Sequence, residues 1–586
     1  MGHFWDLSTI YKSFEHESYQ EDIKKLHESI EALSKLQLTE DFDATAAAFI
    51  NHFNKTLELF YPIVTYASLT YSTDTNNDTA LKYLSKMEET SALLTEPSVK
   101  FQKWLKNFDV SVIENSNNET VSSHQFYLKE TYKKASHLLS DQEEILLSKL
   151  QAVGSSAWSN LQGKLTSGLM IDFELDGQVK PYSLSMIRTF ANHQDQDVRK
   201  RAYEAELKGY KRIDESIAAS LNAIKGEVNI ISKLRGYDSP LQQSASTAQL
   251  DMASLEAMIS AMKEKLPIFH KYLKRKALLL GHKGSLPFYD LFAPVSSSSL
   301  TYTYEEAQAF VLKNFAAFSQ ELSDFAKTAF DNKWLDVEPR EGKRGGAFCA
   351  GVRGRSQSRI MLNFDGSFSE VSTMAHELGH GYHNSQVYKE TMLNASYPMP
   401  VAETASIFCE TIVTNAAIES ASKEDAVFIL EKSIEGSTQV IVDILSRFIF
   451  EKNVFDARLD GPLSVAQINN IMSEAQKEAY GDGLDDETLH PYMWICKPHY
   501  YSSGFSFYNY PYAFGLLFGK GLYAQYKAGR PNFVEAYNTL LNNTTKMDAK
   551  AVAKTMDIDI TKKDFWLASL EMIEEEINQF IRLTEK

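Results

Sequence analysis

Cysteine is nearly missing from this 586-residue chain: Cys349, Cys409 and Cys496 are the only three. Odd in number and far apart, they exclude a disulfide framework and fit a reducing compartment. Proline is also scarce, at 15, which leaves room for long helices. No apolar run approaches membrane-spanning length, so no membrane is expected as a partner. The opening Met1-Gly2-His3-Phe4-Trp5-Asp6 lacks the basic and apolar regions of a signal peptide. Asp6 stands where a myristoylation signal needs Ser or Thr. Basic charge is in deficit too. With 60 Lys and Arg against 77 Asp and Glu, the formal charge is −17, and no basic block is present to oppose phosphate. Nucleic acid is therefore excluded, a soluble cytoplasmic protein is the expectation, and the oligomeric state stays open.

What is present is helical periodicity. Apolar residues recur at three- and four-residue intervals around 17–36, 44–71, 79–106, 121–152, 197–235, 251–280, 304–330, 403–420, 424–458, 464–479 and 562–583. Strand signals are few. Leu169 to Leu175 alternates, and Asp176-Gly177 offers a hairpin turn. A second sheet region runs from Gly345 to Phe364, and Ser296–Ser299 reads as a surface loop. The expected fold is mostly α with small sheets. Soft boundaries fall near residue 110, in the polar stretch Asn107–Glu119, and near Asp195. They divide the chain into an N-terminal helical lobe (1–110), a helical and hairpin subdomain (111–194) and a catalytic domain (195–586).

Residues 376 to 380 read His-Glu-Leu-Gly-His. On a helix this spacing puts His376 and His380 one turn apart on one face, as a zinc site requires, with Glu377 directed at the metal's open position as general base. The local context agrees. Arg359 to Phe364 reads as a short apolar strand closed by Asp365-Gly366, and Ser367 with Glu370 forms a capping box that should start the helix. Met374, Leu378 and Tyr382 share the core-facing side. A site with three histidines would need Gly and His at the third and sixth positions after the second histidine. His383 and Gln386 stand there, so the third ligand is sought in a glutamate. Glu403 is the candidate, reached after a turn through Pro398 and Pro400. On the helix that follows, Glu410 shares its face and is placed to accept from a ligand histidine. The strand before the catalytic helix, with Ile360 and Leu362, is expected to be an edge that pairs with substrate backbone.

Near the C-terminus lies His499-Tyr500-Tyr501-Ser502-Ser503-Gly504-Phe505-Ser506-Phe507-Tyr508-Asn509-Tyr510-Pro511-Tyr512. Peptide hydrolysis needs donors for the oxyanion of the tetrahedral intermediate, and tyrosine or histidine can supply them. Asn509 followed by Pro511 marks a helix start that would aim Tyr512 from a first turn. Tyr510 is taken as a substrate contact.

The HELGH run, Ala402-Glu403-Thr404-Ala405-Ser406-Ile407-Phe408-Cys409-Glu410 and the His-Tyr cluster together resemble the oligoendopeptidase F branch of the thimet oligopeptidase family. Trp5-Asp6-Leu7-Ser8, Arg235-Gly236-Tyr237 and Gly342-Lys343-Arg344-Gly345-Gly346-Ala347-Phe348-Cys349 extend the likeness over nearly the whole chain. The resemblance implies an elongated multi-helix metallopeptidase with a deep central channel and one zinc ion at its floor, cutting short oligopeptides internally. It implies His376, His380 and Glu403 as ligands, Glu377 as base, and His499 with a tyrosine as transition-state donors. Tyr512 is the first choice, and an earlier tyrosine of the family corresponds to Phe505 or to Tyr508. Two alternatives are weighed. One is a dipeptidyl carboxypeptidase, for which Arg353, Arg355 or Arg359 would have to anchor a terminus. The other is a non-catalytic peptide-binding scaffold with a structural zinc, which would have no use for Glu377.

Overall fold

The computed structural model describes residues 2–297 and 300–585, so Ser298 and Ser299 of the expected surface loop lie outside the described residues. Along the chain, a long helix Phe42–Thr73 (α1) starts at Asp41, whose side chain accepts from the Ala44 amide. A hairpin follows, Met170–Leu175 (β1) against Gln178–Ser183 (β2). Its turn residues Asp176 and Gly177 both have positive φ, 52° and 73°, as a two-residue hairpin turn matching the strand twist demands. Then come Leu335–Asp336 (β3), Phe348–Val352 (β4) and Gln357–Met361 (β5), and the helix Phe368–Val387 (α2). Helices Thr404–Ser420 (α3), Ile444–Ala457 (α4), Tyr510–Lys527 (α5) and Phe533–Asn543 (α6) complete the set that bears on the site.

Two expected helical segments are divided, at Ser140 and at Ser319, where a polar side chain captures backbone donors. The 121–152 segment divides into Glu119–Ser123, Gln125–Ser136 and Asp141–Val153, the last opened by a capping box between Ser140 and Glu143. The 304–330 segment breaks at Ser319, which is extended and accepts from the Leu322 amide. Apolar periodicity runs straight through such caps, because a cap alters one residue's backbone and leaves the buried face in register.

The chain forms two compact units, both discontinuous in sequence. One comprises Met1–Leu138, Leu300–Ala416 and Gln525–Ile558, the other Leu139–Ser299, Ala417–Ala524 and Asp559–Lys586. The expected cuts near 110 and 195 therefore give way to crossings of a different kind. In the first unit, Val352 and Met361 of β4 and β5 are buried in the same apolar core as Trp5, Phe49, Tyr66 and Phe101. A core shared in this way cannot be cut at residue 110. The Gln525–Ile558 segment is tied in by Tyr382 Oη donating to Asn538 Oδ1 at 2.7 Å and Lys546 Nζ to Glu390 Oε1 at 2.7 Å.

Within the first unit the sheet order is β3-β5-β4, with β5 parallel to β3 and antiparallel to β4. The middle strand is thus β5, buried from Ser358 to Met361, and β4 is the half-buried edge. This corrects the expectation for Ile360 and Leu362. Ile360 pairs with Leu335 on one side and Cys349 on the other, and the Leu362 amide donates to the Asp336 carbonyl at 2.8 Å. Both side chains are fully buried, so they belong to the core and have no face left for substrate. Tyr510 is corrected likewise. It is 1% exposed, with its hydroxyl 3.4 Å from Ser244 Oγ inside the second unit.

Candidate active site

Ser367 opens α2 by accepting from the Glu370 amide, and Met374, Leu378 and Tyr382 sink one helix face into the core. That orientation leaves His376 and His380 half-buried on the other side, their ring centroids 4.8 Å apart. Glu403 is brought across by a close helix contact. A Cβ on Gly379 would sit 2.6 Å from the Ala405 carbonyl oxygen and 2.7 Å from Ser406 Cα, so only glycine lets α3 approach α2 here. Glu403 caps the short helix Met399–Ala402 and immediately precedes α3, and Ser406 Oγ donates to its Oε2 at 2.8 Å.

The three side chains converge on one point. Glu403 Oε2 lies 3.2 Å from His376 Nε2 and 3.3 Å from His380 Nε2. A good charge-assisted hydrogen bond would be shorter, about 2.7–2.9 Å. Ligand atoms placed tetrahedrally about 2.0–2.2 Å from zinc stand about 3.3–3.6 Å apart, and the observed spacing matches that edge. The donor set of two imidazoles and one carboxylate, with a fourth position open, fits zinc in the manner of a catalytic site. On the far side of the first ring, Glu410 Oε2 is 3.1 Å from His376 Nδ1, so the carboxylate fixes the tautomer that turns Nε2 toward Glu403.

Electrostatics follow the geometry. Burial alone would lower His376, but the contacts with Glu403 and Glu410 outweigh it and raise it from 6.5 to about 10. Burial pushes Glu403 up, and the two imidazoles reverse this and hold it well below the usual carboxylate range. Glu377 is 6% exposed, and its Oε2 has no hydrogen-bond partner. Burial raises its pKa, and the neighbouring His376 and His380 pull it back only in part. A buried carboxylate oxygen without a partner beside a convergent ligand set makes Glu377 the candidate for chemistry here.

These residues open onto a cleft of about 770 Å³. Its walls include the β4 edge from Phe348 to Gly351, the α1 residues Tyr61 and Ser68, and Asn384 and Tyr397. Sequence reasoning named none of the α1 residues. They lie in a helix whose apolar periodicity carries no mark of function, and only the fold brings them to α2.

The His-Tyr cluster lies in the second unit. Tyr508 Oη and Tyr512 Oη are 3.0 Å apart, and Asn509 Nδ2 donates to His499 Nε2 at 2.8 Å. Arg447 Nη1 donates to Asn509 Oδ1 at 3.5 Å, which orients the amide and leaves the hydrogen of a neutral His499 on Nδ1. His499 is held neutral: burial first, then the charges of Arg447 and Lys497, lower it to about 3. Phe507, just before Tyr508, has a φ of +56°, and its amide donates at 3.0 Å to Glu451, itself paired to buried Lys225 at 2.6 Å. Phe505, the other counterpart considered for the second tyrosine, is 62% exposed and brings no hydroxyl.

A mostly helical fold with an HExxH helix and a downstream glutamate at zinc spacing defines a helical metallopeptidase. Comparison with known proteins specifies which. Residues 189–572 match the family described as Peptidase family M3, and residues 100–170 match the one described as Oligopeptidase F. The chain belongs to peptidase family M3 and is a metallo-endopeptidase. It is 25% identical over 600 residues to Oligopeptidase PepF of Bacillus subtilis (strain 168), spanning 99% of this chain and 87% of that protein. Group B oligopeptidase PepB of Streptococcus agalactiae is 23% identical, with 99% and 97% covered. In fold, the chain resembles a crystal structure from Chlamydophila abortus with a TM-score of 0.88 at 22% identity, over 99% of this chain and 98% of that one. It also resembles oligoendopeptidase-F from Enterococcus faecium, with a TM-score of 0.67 at 18% identity over 97% and 98%. No helix among the described residues is long and apolar enough to cross a membrane.

Proposed function

We propose that the protein is a zinc endopeptidase of short oligopeptides, with one zinc held by His376, His380 and Glu403 and Glu377 as general base. The observation that carries the reading is the convergence of the three ligand atoms within 4.8 Å of one another, with Glu403 Oε2 3.2 and 3.3 Å from the two imidazole nitrogens, next to the buried Glu377 carboxylate, whose Oε2 has no partner. Zinc bound there supplies Lewis-acid polarisation of the scissile carbonyl and lowers the pKa of water to about 7. Glu377 takes the proton of the attacking water and passes it to the leaving amine, a role suited to a carboxylate whose pKa is raised by burial. Glu410 holds His376 in the tautomer that leaves Nε2 free for the metal. The β4 edge, in place of the buried β5, offers unpaired backbone groups to an extended peptide. His499 and Tyr512, with Tyr508 bonded to Tyr512, are assigned as oxyanion donors on the sequence resemblance and on the hydroxyl pair. Three free thiols and the absence of any disulfide among the described residues support a reducing compartment such as the cytoplasm.

Metal analysis tests the reading. The active protein should carry one zinc per chain, and chelation should abolish peptide cleavage until zinc is restored. Because Glu403 and Glu410 raise the pKa of His376 in the metal-free protein, zinc uptake should also release a proton and weaken as pH falls. Full activity after complete metal removal would rule the reading out.

A further inference from the structure

Among the described residues, the cleft contains one arginine, Arg353, with no carboxylate at salt-bridge distance. Arg353 directly follows β4, is half-buried, and lines the cleft together with His376 and Glu377. It also lines an adjoining cavity of about 370 Å³. Its guanidinium lies 5.0 Å from the centre of the Tyr61 ring, and Nη1 donates to Ser396 Oγ at 3.0 Å. Among the described residues, its guanidinium forms no ion pair within 4.0 Å. Glu58 and Glu390 line the adjoining cavity, but Glu390 is paired with Lys546.

The neighbouring arginines are differently employed. Arg359 is buried, and its guanidinium donates to the Asp6 carbonyl, the Ser358 carbonyl, Thr9 Oγ1 and Gln357 Oε1. Arg355 is exposed and lies 6.0 Å from the Tyr11 ring, lining the adjoining cavity and not the catalytic cleft. Of the three arginines weighed as terminal anchors, only Arg353 reaches the catalytic cleft. Acidic residues outnumber basic ones 77 to 60 in this chain, so a guanidinium without a partner is not short of anions to choose from. Arginine carries five N–H donors in a planar fork that matches a carboxylate, and the Ser396 bond uses one of them. The Tyr61 ring braces one face of the group without neutralising it.

We infer that Arg353 is a carboxylate-binding subsite of the cleft, selecting peptides that place an acidic side chain or the free C-terminus against it. The inference rests on the peptidase reading. The alternative role is a strut between the β4 loop, α1 and Ser396, which would serve all substrates equally.

Two matched peptide pairs decide between these roles: Glu against Gln beside the cleaved bond, and a free C-terminus against its amide. The zinc-loaded wild-type protein should favour the carboxylate member of one pair by about tenfold to a hundredfold in kcat/KM, the range of a charge-assisted contact. The pair that responds tells which carboxylate is bound. Arg353→Ala should abolish the preference while cleaving the neutral members nearly as well as wild type, and Arg353→Lys should retain part of it. The same four peptides bound to Glu377→Gln protein, followed by calorimetry, report the preference without turnover. Absence of hydrolysis would count against the peptidase reading, whereas equal affinities within both pairs would count against Arg353. A wild-type protein with no preference in either pair overturns the inference, even if Arg353→Ala fails to fold. So does a preference that survives in Arg353→Ala.

Discussion

Glu410 and Tyr512 stand in different relations to the chemistry, and their losses should separate. Among the described residues, the Glu410 carboxylate is hydrogen-bonded to His376 Nδ1 alone, so the role proposed for it is to orient a ligand. Glu410→Ala should weaken zinc binding by about ten- to a hundredfold, and the remaining loaded enzyme should turn over close to normally. Tyr512→Phe deletes the one hydroxyl proposed to act in the transition state. It should leave zinc content unchanged and lower kcat by about a hundred- to a thousandfold with little change in KM. Metal titration alongside kinetics at saturating zinc checks both, and a Tyr512→Phe enzyme with wild-type kcat would make the hydroxyl pair a packing feature. At this scale much was legible in the chain itself. His376, Glu377 and His380 are readable because fixed helical spacing turns sequence distance into spatial distance. Glu403 needed only the exclusion of a third histidine. Arg353 was readable as a positive charge, but its lack of a carboxylate at salt-bridge distance depends on where every acidic side chain ends up.

Helix α2 does two jobs, anchoring its apolar face and approaching α3 closely enough to complete the candidate metal site. Gly379→Ala tests the second. The new methyl would meet backbone atoms of Ala405 and Ser406 at 2.6–2.7 Å, and backbone cannot move aside as a side-chain tip can. Overpacking of this kind costs about 1–3 kcal/mol, and the shift falls on the segment that carries Glu403. The variant should melt earlier and bind zinc more weakly, whereas unchanged melting and affinity would mean the contact is looser than described. The strand error belongs to the same scale. Ile360-Met361-Leu362 is continuously apolar, the mark of a strand covered on both faces, so its central place is understandable in hindsight. The true edge, Phe-Cys-Ala-Gly-Val, is short and small in its side chains, and nothing local distinguishes it as exposed. The hairpin was legible because Asp176-Gly177 names its own turn type.

Each unit is assembled from three separated stretches of chain, which is why linear boundaries failed while individual helices were found. Non-local tethers such as His383 Nε2 to Thr544 Oγ1 at 2.8 Å have no sequence signature. They do have a pH signature. His383 is buried and stacked 4.1 Å from Tyr397, and burial followed by the charge of His380 lowers it from 6.5 to about 3; His499 is lowered equally. Between those values the unfolded chain binds these protons and the folded chain does not, so stability rises with pH there. It should fall as pH drops from about 6.5 toward 3, and neither histidine contributes above that window. Urea midpoints across the range should show a shallower fall in His383→Gln than in wild type. An identical slope would mean that His383 titrates normally in the folded protein.

The central proposal is that a base-dependent zinc site cuts inside a peptide. The direct measurement is mass spectrometry of an oligopeptide blocked at both termini, incubated with zinc-loaded wild type and with Glu377→Gln of equal zinc content. Wild type should produce internal fragments, and the variant should be slower by about two to four orders of magnitude, the usual contribution of a general base. A blocked peptide left intact while its unblocked form is trimmed, or equal cleavage by both proteins, would contradict it.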